Sequence, residues 1–462
     1  MPELDRAWKS VRAWIPELCR GIIAFASGLA SPRRRVPSEE WWHRPGWGIM
    51  YQIEHRPGWD WDRDYDEFNA SMRDGRGDFS FNGPLCEVEE WMDLSREVGV
   101  DFHVMEAKWH DGICFFDSEL TDWKSDRDYA AAFSALSRDA GIPFLYYYSS
   151  VFDHNPRFDS VQPNRHKTFS IIALGGQPVY EEYLRGQYRE LVERYSPDGM
   201  WVDWYWPGDA ATEITIEFFR DAYPGVILGF NMSNYLAGSY KRLDYAIGEA
   251  HELDGPLVKI RRTGAMFIPV ICSTWKWTAI FRRMLDVPWE LVAPAGRWWQ
   301  DPRRREDPYE LVRMAAVVMA GGGRFSLGTT VMMDGRVVPS QAKQLRMLGD
   351  WYRPRRRLFS EALPLGYRGR EPNGVKVRSS KVKAVATRRE DGVILHLINM
   401  DGGTRSLQLT LQGEPWTAAS SILLEPGGWE LEAKRTLSRV HINIRPEDLD
   451  PVDTILRFPL WK

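Results

Sequence analysis

Apolar and polar positions along the chain alternate between two periods. From about residue 46 to residue 358, short runs that are apolar on both sides alternate with stretches whose apolar residues recur at helical spacing. The strand-like runs are 47–54, 101–108, 143–149, 199–205, 226–232, 243–249, 266–273 and 324–330. Helical patterns fall at 87–98, 129–140, 180–195, 214–222 and 309–320, and 341–358 closes the series. Strands that are apolar on both sides suit a parallel sheet covered on both faces. Eight of them alternating with helices predict an α/β fold, a (β/α)₈-like (TIM-type) barrel; a doubly wound open sheet would give a similar pattern.

Beyond about residue 363 the texture changes. Short alternating runs at 375–378, 383–387, 393–398, 406–410 and 440–444 are separated by turns such as Glu390-Asp391-Gly392 and Asp401-Gly402-Gly403. This is the signature of an antiparallel β-sandwich. The expected organisation is an N-terminal helical extension (1–40), a catalytic barrel (41–362) and a C-terminal β-sandwich (363–462).

Composition narrows the class. Hydrophobic residues make up 44% and charged residues 27%, with a net charge of −4, so the chain has material for a large core and is no polyanion binder. No nucleic-acid or membrane partner is expected, since no apolar run approaches a membrane-spanning length. The run 21–30 follows a stretch containing Glu3, Asp5 and Glu17, a poor context for a secretory signal, so a cytoplasmic location is expected. Cys19, Cys86, Cys114 and Cys272 form no CxxC pair, and His251-Glu252 is not a zinc motif. No metal or cofactor is inferred. The 22 tryptophans suit the apolar faces of sugars, although they also fill cores.

In a barrel, working groups stand at the C-terminal ends of strands. One strand end carries Asp203 among Trp201, Trp204 and Tyr205; another carries Glu249. Others bring Gln52 and Glu54, Lys108-Trp109-His110, and Tyr147-Tyr148-Ser149. Two carboxylates across a barrel mouth are what glycoside cleavage needs: one attacks or steadies the sugar cation, and the other protonates the departing oxygen. A carboxylate among tryptophans loses solvation, and Lys108 and His110 are the candidate cations to compensate Asp203. The bland alternative is that Asp203 only caps a helix or anchors a loop.

Residues 104–116, with Asp117-Ser118 and Thr121-Asp122, resemble the signature of glycoside hydrolase family 29, the α-L-fucosidases. Residues 144–149 resemble that family's third strand, and 187–203 its helix and strand ending in the nucleophile. Residues 244–249 resemble the stretch bearing the acid/base, and 321–339 the segment closing the barrel. The resemblance implies Asp203 as nucleophile and Glu249 as acid/base of a retaining exo-glycosidase, with Glu252 or Glu54 as stand-ins for the acid. It implies a sugar held by His110, Gln52, Glu54, Tyr148 and Trp204, with Lys108 and Trp109 beside them, and no cofactor. Retention would require the two carboxyl groups about 5–6 Å apart, whereas about 9 Å would argue for inversion.

The chain also departs from that family. Gln52 stands where its sugar-binding histidine belongs, and Trp109 replaces the first of its paired histidines. Gly323 or Arg324 replaces an asparagine, and the arginine expected after the fifth strand is not evident near Asn231. Two further readings follow: a glycosidase for a different sugar, or a carbohydrate-binding pseudoenzyme. The partner is a carbohydrate substrate; a homo-oligomer is compatible with the sequence.

Overall fold

Burial of both strand faces closes the sheet. The computed structural model describes residues 42–53, 88–153, 155, 157–158, 177–205, 209–231, 242–256, 258–263, 266–271, 273–284, 288–297, 299, 305, 307–332, 334–364, 367–368, 371–372, 374–403 and 406–460. The expected N-terminal extension and Glu54 lie outside them. Eight parallel strands form a closed barrel: β1 (Gly46–Ile53), β2 (Phe102–Lys108), β3 (Phe144–Ser149), β4 (Gly199–Asp203), β5 (Ile227–Phe230), β6 (Tyr245–Glu249), β7 (Trp289–Pro294) and β8 (Arg324–Val331). Each pairs with its neighbour in sequence, and β8 returns to β1 in register from Gly46↔Arg324 to Ile53↔Val331.

Outside the barrel run α1 (Val88–Val98), α2 (Tyr129–Ala140), α3 (Pro178–Tyr195), α4 (Ala210–Ala222), α5 (Thr274–Met284), α6 (Glu310–Ala320) and α7 (Pro339–Tyr352). Their ends are set locally. Asp128 accepts the N–H of Ala131 at the start of α2, and Gly141 ends it at φ 63°. Asp209 caps α4 through the N–H of Thr212. Helix α6 is buried on every side from Leu311 to Ala320, because it lies between the barrel and the C-terminal sheets. Val385, Ile394 and Ile398 of those sheets join the barrel's core.

One strand departs from expectation. Residues 266–273 were expected in the barrel, but Met266–Ile271 pairs antiparallel with Val258–Thr263 as a hairpin outside it. The barrel strand is β7 instead, between β6 and β8. Its six residues follow Pro288 and end on Pro294, prolines that read as loop punctuation, whereas a short apolar run fits a hairpin and a barrel equally.

The C-terminal part forms two main antiparallel sheets. One contains Val382–Arg389, Gly392–Asn399 and Asp453–Pro459; the other contains Val375–Val377, Leu407–Gln412 and Arg439–Ile444. Leu395, Leu397, Leu409, Leu411, Trp416 and Phe458 fill the space between them. Among the described residues, no helix is long and apolar enough to cross a membrane.

Candidate active site

Asp203 is the last residue of β4, level with Ser149 of β3, and is 7% exposed. Oδ1 accepts the N–H of Trp204 at 2.9 Å and Nδ2 of Asn231 at 2.8 Å. Oδ2 accepts the hydroxyl of Tyr147 at 2.5 Å, and Nε2 of His110 lies 3.5 Å away. Trp204 adopts φ 58°, a left-handed conformation that costs a non-glycine residue about 1–2 kcal/mol. Backbone strain of this kind gathers at functional sites.

Burial, together with the Glu249 carboxylate, pushes Asp203 up to about 7 against the pull of Tyr147, Asn231 and the Trp204 N–H. Burial and the Asp203 carboxylate push the Tyr147 hydroxyl well above its ordinary range, so it stays a donor.

Glu249 ends β6, two strands away. Its Oε1 accepts Nδ2 of Asn231 at 2.6 Å, and Oε2 lies 3.4 Å from Nε2 of His251. Asn231 thus touches both carboxylates. Bonds of 2.8 and 2.6 Å to one nitrogen hold the two acceptor oxygens within about 5.5 Å of each other, close enough for a retaining pair.

His110 is oriented by its neighbours. Ser149 donates its hydroxyl to the carbonyl of Phe152 at 2.9 Å, so its oxygen accepts Nδ1–H of His110 at 2.7 Å. Nε2 is thereby the nitrogen presented to Asp203. Trp109 stacks on the imidazole at 4.9 Å, and Phe152 meets its edge at 5.0 Å. Trp204 packs edge-on against Phe152, and Trp299 against His251. Apolar faces therefore flank both carboxylates.

Gln52, near the end of β1, is 4% exposed, and among the described residues its Oε1 has no hydrogen-bond partner. The missing side chain of Gly328 leaves room there: a Cβ on it would stand 2.8 Å from that oxygen and 2.6 Å from the Trp299 ring. An unsatisfied buried acceptor is a site for a donor from outside the protein.

Two expected sugar contacts stand elsewhere. Lys108 was expected near Asp203 but pairs with Asp153 at 2.5 Å, both side chains fully buried, with its ammonium 4.3 Å over the Tyr148 ring. Tyr148 donates to Oε1 of Gln187 on α3. Side chains on a strand alternate between faces, so Tyr147 reaches Asp203 and Tyr148 faces the helix layer. A register shift between Glu106 and Lys108 puts Lys108 on that outer side too. Glu252, a stand-in for the acid, lies against Gly255. Sequence reasoning gave Asn231 and His251 no role and named Tyr147 at a strand end without choosing it over Tyr148; the alternation of β3 against Asp203 was the signal that could have chosen it.

The chain matches the Alpha-L-fucosidase family over residues 21–355, most of its length. It belongs to the α-L-fucosidase family. It is therefore a glycoside hydrolase. Rat (Rattus norvegicus) tissue α-L-fucosidase is 24% identical over 395 residues, covering 79% of this chain and 77% of the rat protein. The α-fucosidase of Thermotoga maritima, solved with a mechanism-based inhibitor, is 19% identical with a TM-score of 0.66, covering 92% of this chain and 97% of the other. An α-L-fucosidase of Bacteroides thetaiotaomicron, solved as a trapped covalent intermediate, is 16% identical with the same TM-score, covering 93% and 97%. At these identities the structural likeness is one of fold.

One departure from the α-L-fucosidase pattern does not bear on the mouth. Arg324 begins β8, at the opposite end from Thr330 and Val331. It is buried over Trp42 and Phe102 and donates to the carbonyl of Arg44. Gln52 and Trp109, by contrast, stand where the site residues gather. Among the described residues, no group of three or more His, Cys, Asp or Glu side chains is placed to hold a metal ion.

Proposed function

We propose that Asp203 and Glu249 are the nucleophile and the acid/base of a retaining exo-glycosidase that removes a terminal α-L-fucosyl group or a related sugar. The observation that carries the reading is the shared amide of Asn231, which keeps one oxygen of each carboxylate within retaining distance. Donors from Tyr147, Asn231 and the Trp204 N–H converge on Asp203, which suits the partner that must be ionised. Asp203 attacks the anomeric carbon while Glu249 protonates the departing oxygen. Glu249 then takes a proton from water as that water opens the glycosyl ester. His110 and Gln52 hold the sugar hydroxyls, and Trp109 and Trp204 line its apolar faces.

The test is nitrophenol release from 4-nitrophenyl α-L-fucoside by wild type and Asp203→Ala. The variant loses about 10³-fold or more in rate and regains part of it with azide, giving a glycosyl azide. Unchanged turnover in the variant would remove Asp203 from the chemistry.

A second reading, a different deoxy- or pentosyl glycoside, draws on Gln52. Its open acceptor presents a different hydrogen-bond pattern from an imidazole. A panel of nitrophenyl glycosides separates the two.

A further inference from the structure

Asn231 makes and breaks no bond to the substrate in the chemistry above, yet both carboxylates lean on it. Its stem is fixed: the backbone N–H donates to the carbonyl of Val202 at 2.8 Å, and the backbone carbonyl accepts the N–H of Tyr205 at 2.9 Å. The residue is almost fully buried. From that stem one amide nitrogen reaches Oδ1 of Asp203 and Oε1 of Glu249. An amide NH₂ has two hydrogens, one for each acceptor. The reverse orientation would set a carbonyl oxygen against two carboxylates, so the neighbours dictate which end of the amide points inward.

We infer that Asn231 is a positioning residue that sets the spacing of Asp203 and Glu249 and keeps a donor on whichever of them carries the negative charge. The inference rests on the proposed roles of those two carboxylates. As the ester forms, the Asp203 oxygen makes a bond to the anomeric carbon. The bond from that carbon to the leaving oxygen breaks, its electron pair goes to that oxygen, and the proton of Glu249 follows. The negative charge has then moved from Asp203 to Glu249, and it returns when water opens the ester. A donor already directed at each carboxylate serves both stages without reorganisation. Bonds to the ionised partner are also the stronger ones.

The surroundings define the expected pH effect. Asp203 faces Tyr147 from β3, Glu249 from β6, His110 beyond β2 and the Trp204 N–H. Glu249 faces His251 beyond β6. Of these groups, Asn231 alone bonds both carboxylates among the hydrogen bonds of the described residues.

The experiment compares wild type, Asn231→Ala and Asn231→Asp for kcat, KM and the pH dependence of kcat/KM on the activated fucoside, with thermal unfolding alongside. Asn231→Ala should lower kcat by about 10²-fold or more with KM within a few-fold, and move the acidic limb to higher pH. Asn231→Asp, of the same shape but without donors and with a third carboxylate, should fall further. It also carries the test should the alanine variant not fold. A lower Tm with an unchanged pH profile and kcat within about threefold would make Asn231 merely structural and overturn the inference. Wild-type turnover that survives Asp203→Ala would instead overturn the reading of the carboxylates, and this inference with it.

Discussion

Tyr147 donates its hydroxyl to Oδ2 of Asp203 at 2.5 Å from the neighbouring strand. The next residue, Tyr148, sends its hydroxyl to Gln187 in the helix layer. Adjacent tyrosines on opposite faces of β3 therefore separate catalysis from packing. Tyr147→Phe should lower kcat by about 10²-fold and move the acidic limb of kcat/KM to higher pH, because a donor favouring ionised Asp203 is gone. Tyr148→Phe should leave kcat within about twofold. It removes a donor from a buried amide oxygen, at a cost of about 1–3 kcal/mol in stability. Steady-state kinetics and thermal unfolding on both variants decide it; the opposite pattern would mean that the faces are reversed.

Asp203 at about 7 makes the enzyme's acidic limb and its stability two views of one ionisation. The nucleophile must be ionised, so kcat/KM should fall about tenfold per pH unit below that value. The unfolded chain ionises this group near 4, so its folded value is raised. Its contribution to stability is thus complete below about pH 4 and is lost as pH rises through about 7. Asp203→Asn, which cannot ionise, should therefore gain in Tm over wild type between pH 4 and pH 8 while losing activity. A Tm difference independent of pH would contradict the raised ionisation.

The barrel was legible because burial on both strand faces leaves short runs apolar on both sides, alternating with stretches of helical spacing. The seventh strand was not. Its prolines look like turns, and nothing local says whether 266–271 pairs with a barrel neighbour or folds back on 258–263. Asp203 and Glu249 were legible as strand ends. Lys108 and Tyr148 were misplaced because a strand's side chains alternate, and a one-residue shift at Glu106 exchanges the faces. Asn231 was passed over because an amide carries no charge pattern, and its importance lies in a contact between β5 and β6 that only the fold brings about.

Gln52 offers a direct probe of specificity. Among the described residues its buried Oε1 has no hydrogen-bond partner, so a substrate hydroxyl donating there gains a bond. Gln52→Leu keeps the volume and removes the acceptor. It should lower kcat/KM on the preferred glycoside by about 10-fold or more, with less effect on an analogue lacking the matching hydroxyl. Gln52→His restores the imidazole implied by the family resemblance and should raise the preference for the α-L-fucoside over other sugars in the panel. Equal losses on all sugars after Gln52→Leu would show that Gln52 supports the barrel rather than reading the substrate.

The Lys108–Asp153 pair is the strongest test of what lies behind the site. Both side chains are fully buried, and Asp153 also accepts the N–H of Asn155. Gly112 is held tightly here: at φ 80°, a Cβ on it would come within 2.2 Å of Oδ1 of Asp153. Lys108→Met strands a buried carboxylate and should cost about 3–5 kcal/mol. The double variant Lys108→Met with Asp153→Leu removes both charges and should recover much of that loss. Since Lys108 faces the tyrosines of α3 and not the mouth, KM of the folded single variant should stay within about threefold of wild type. A Tm near wild type together with a KM raised more than about tenfold would return Lys108 to the sugar and overturn its assignment to the outer layer.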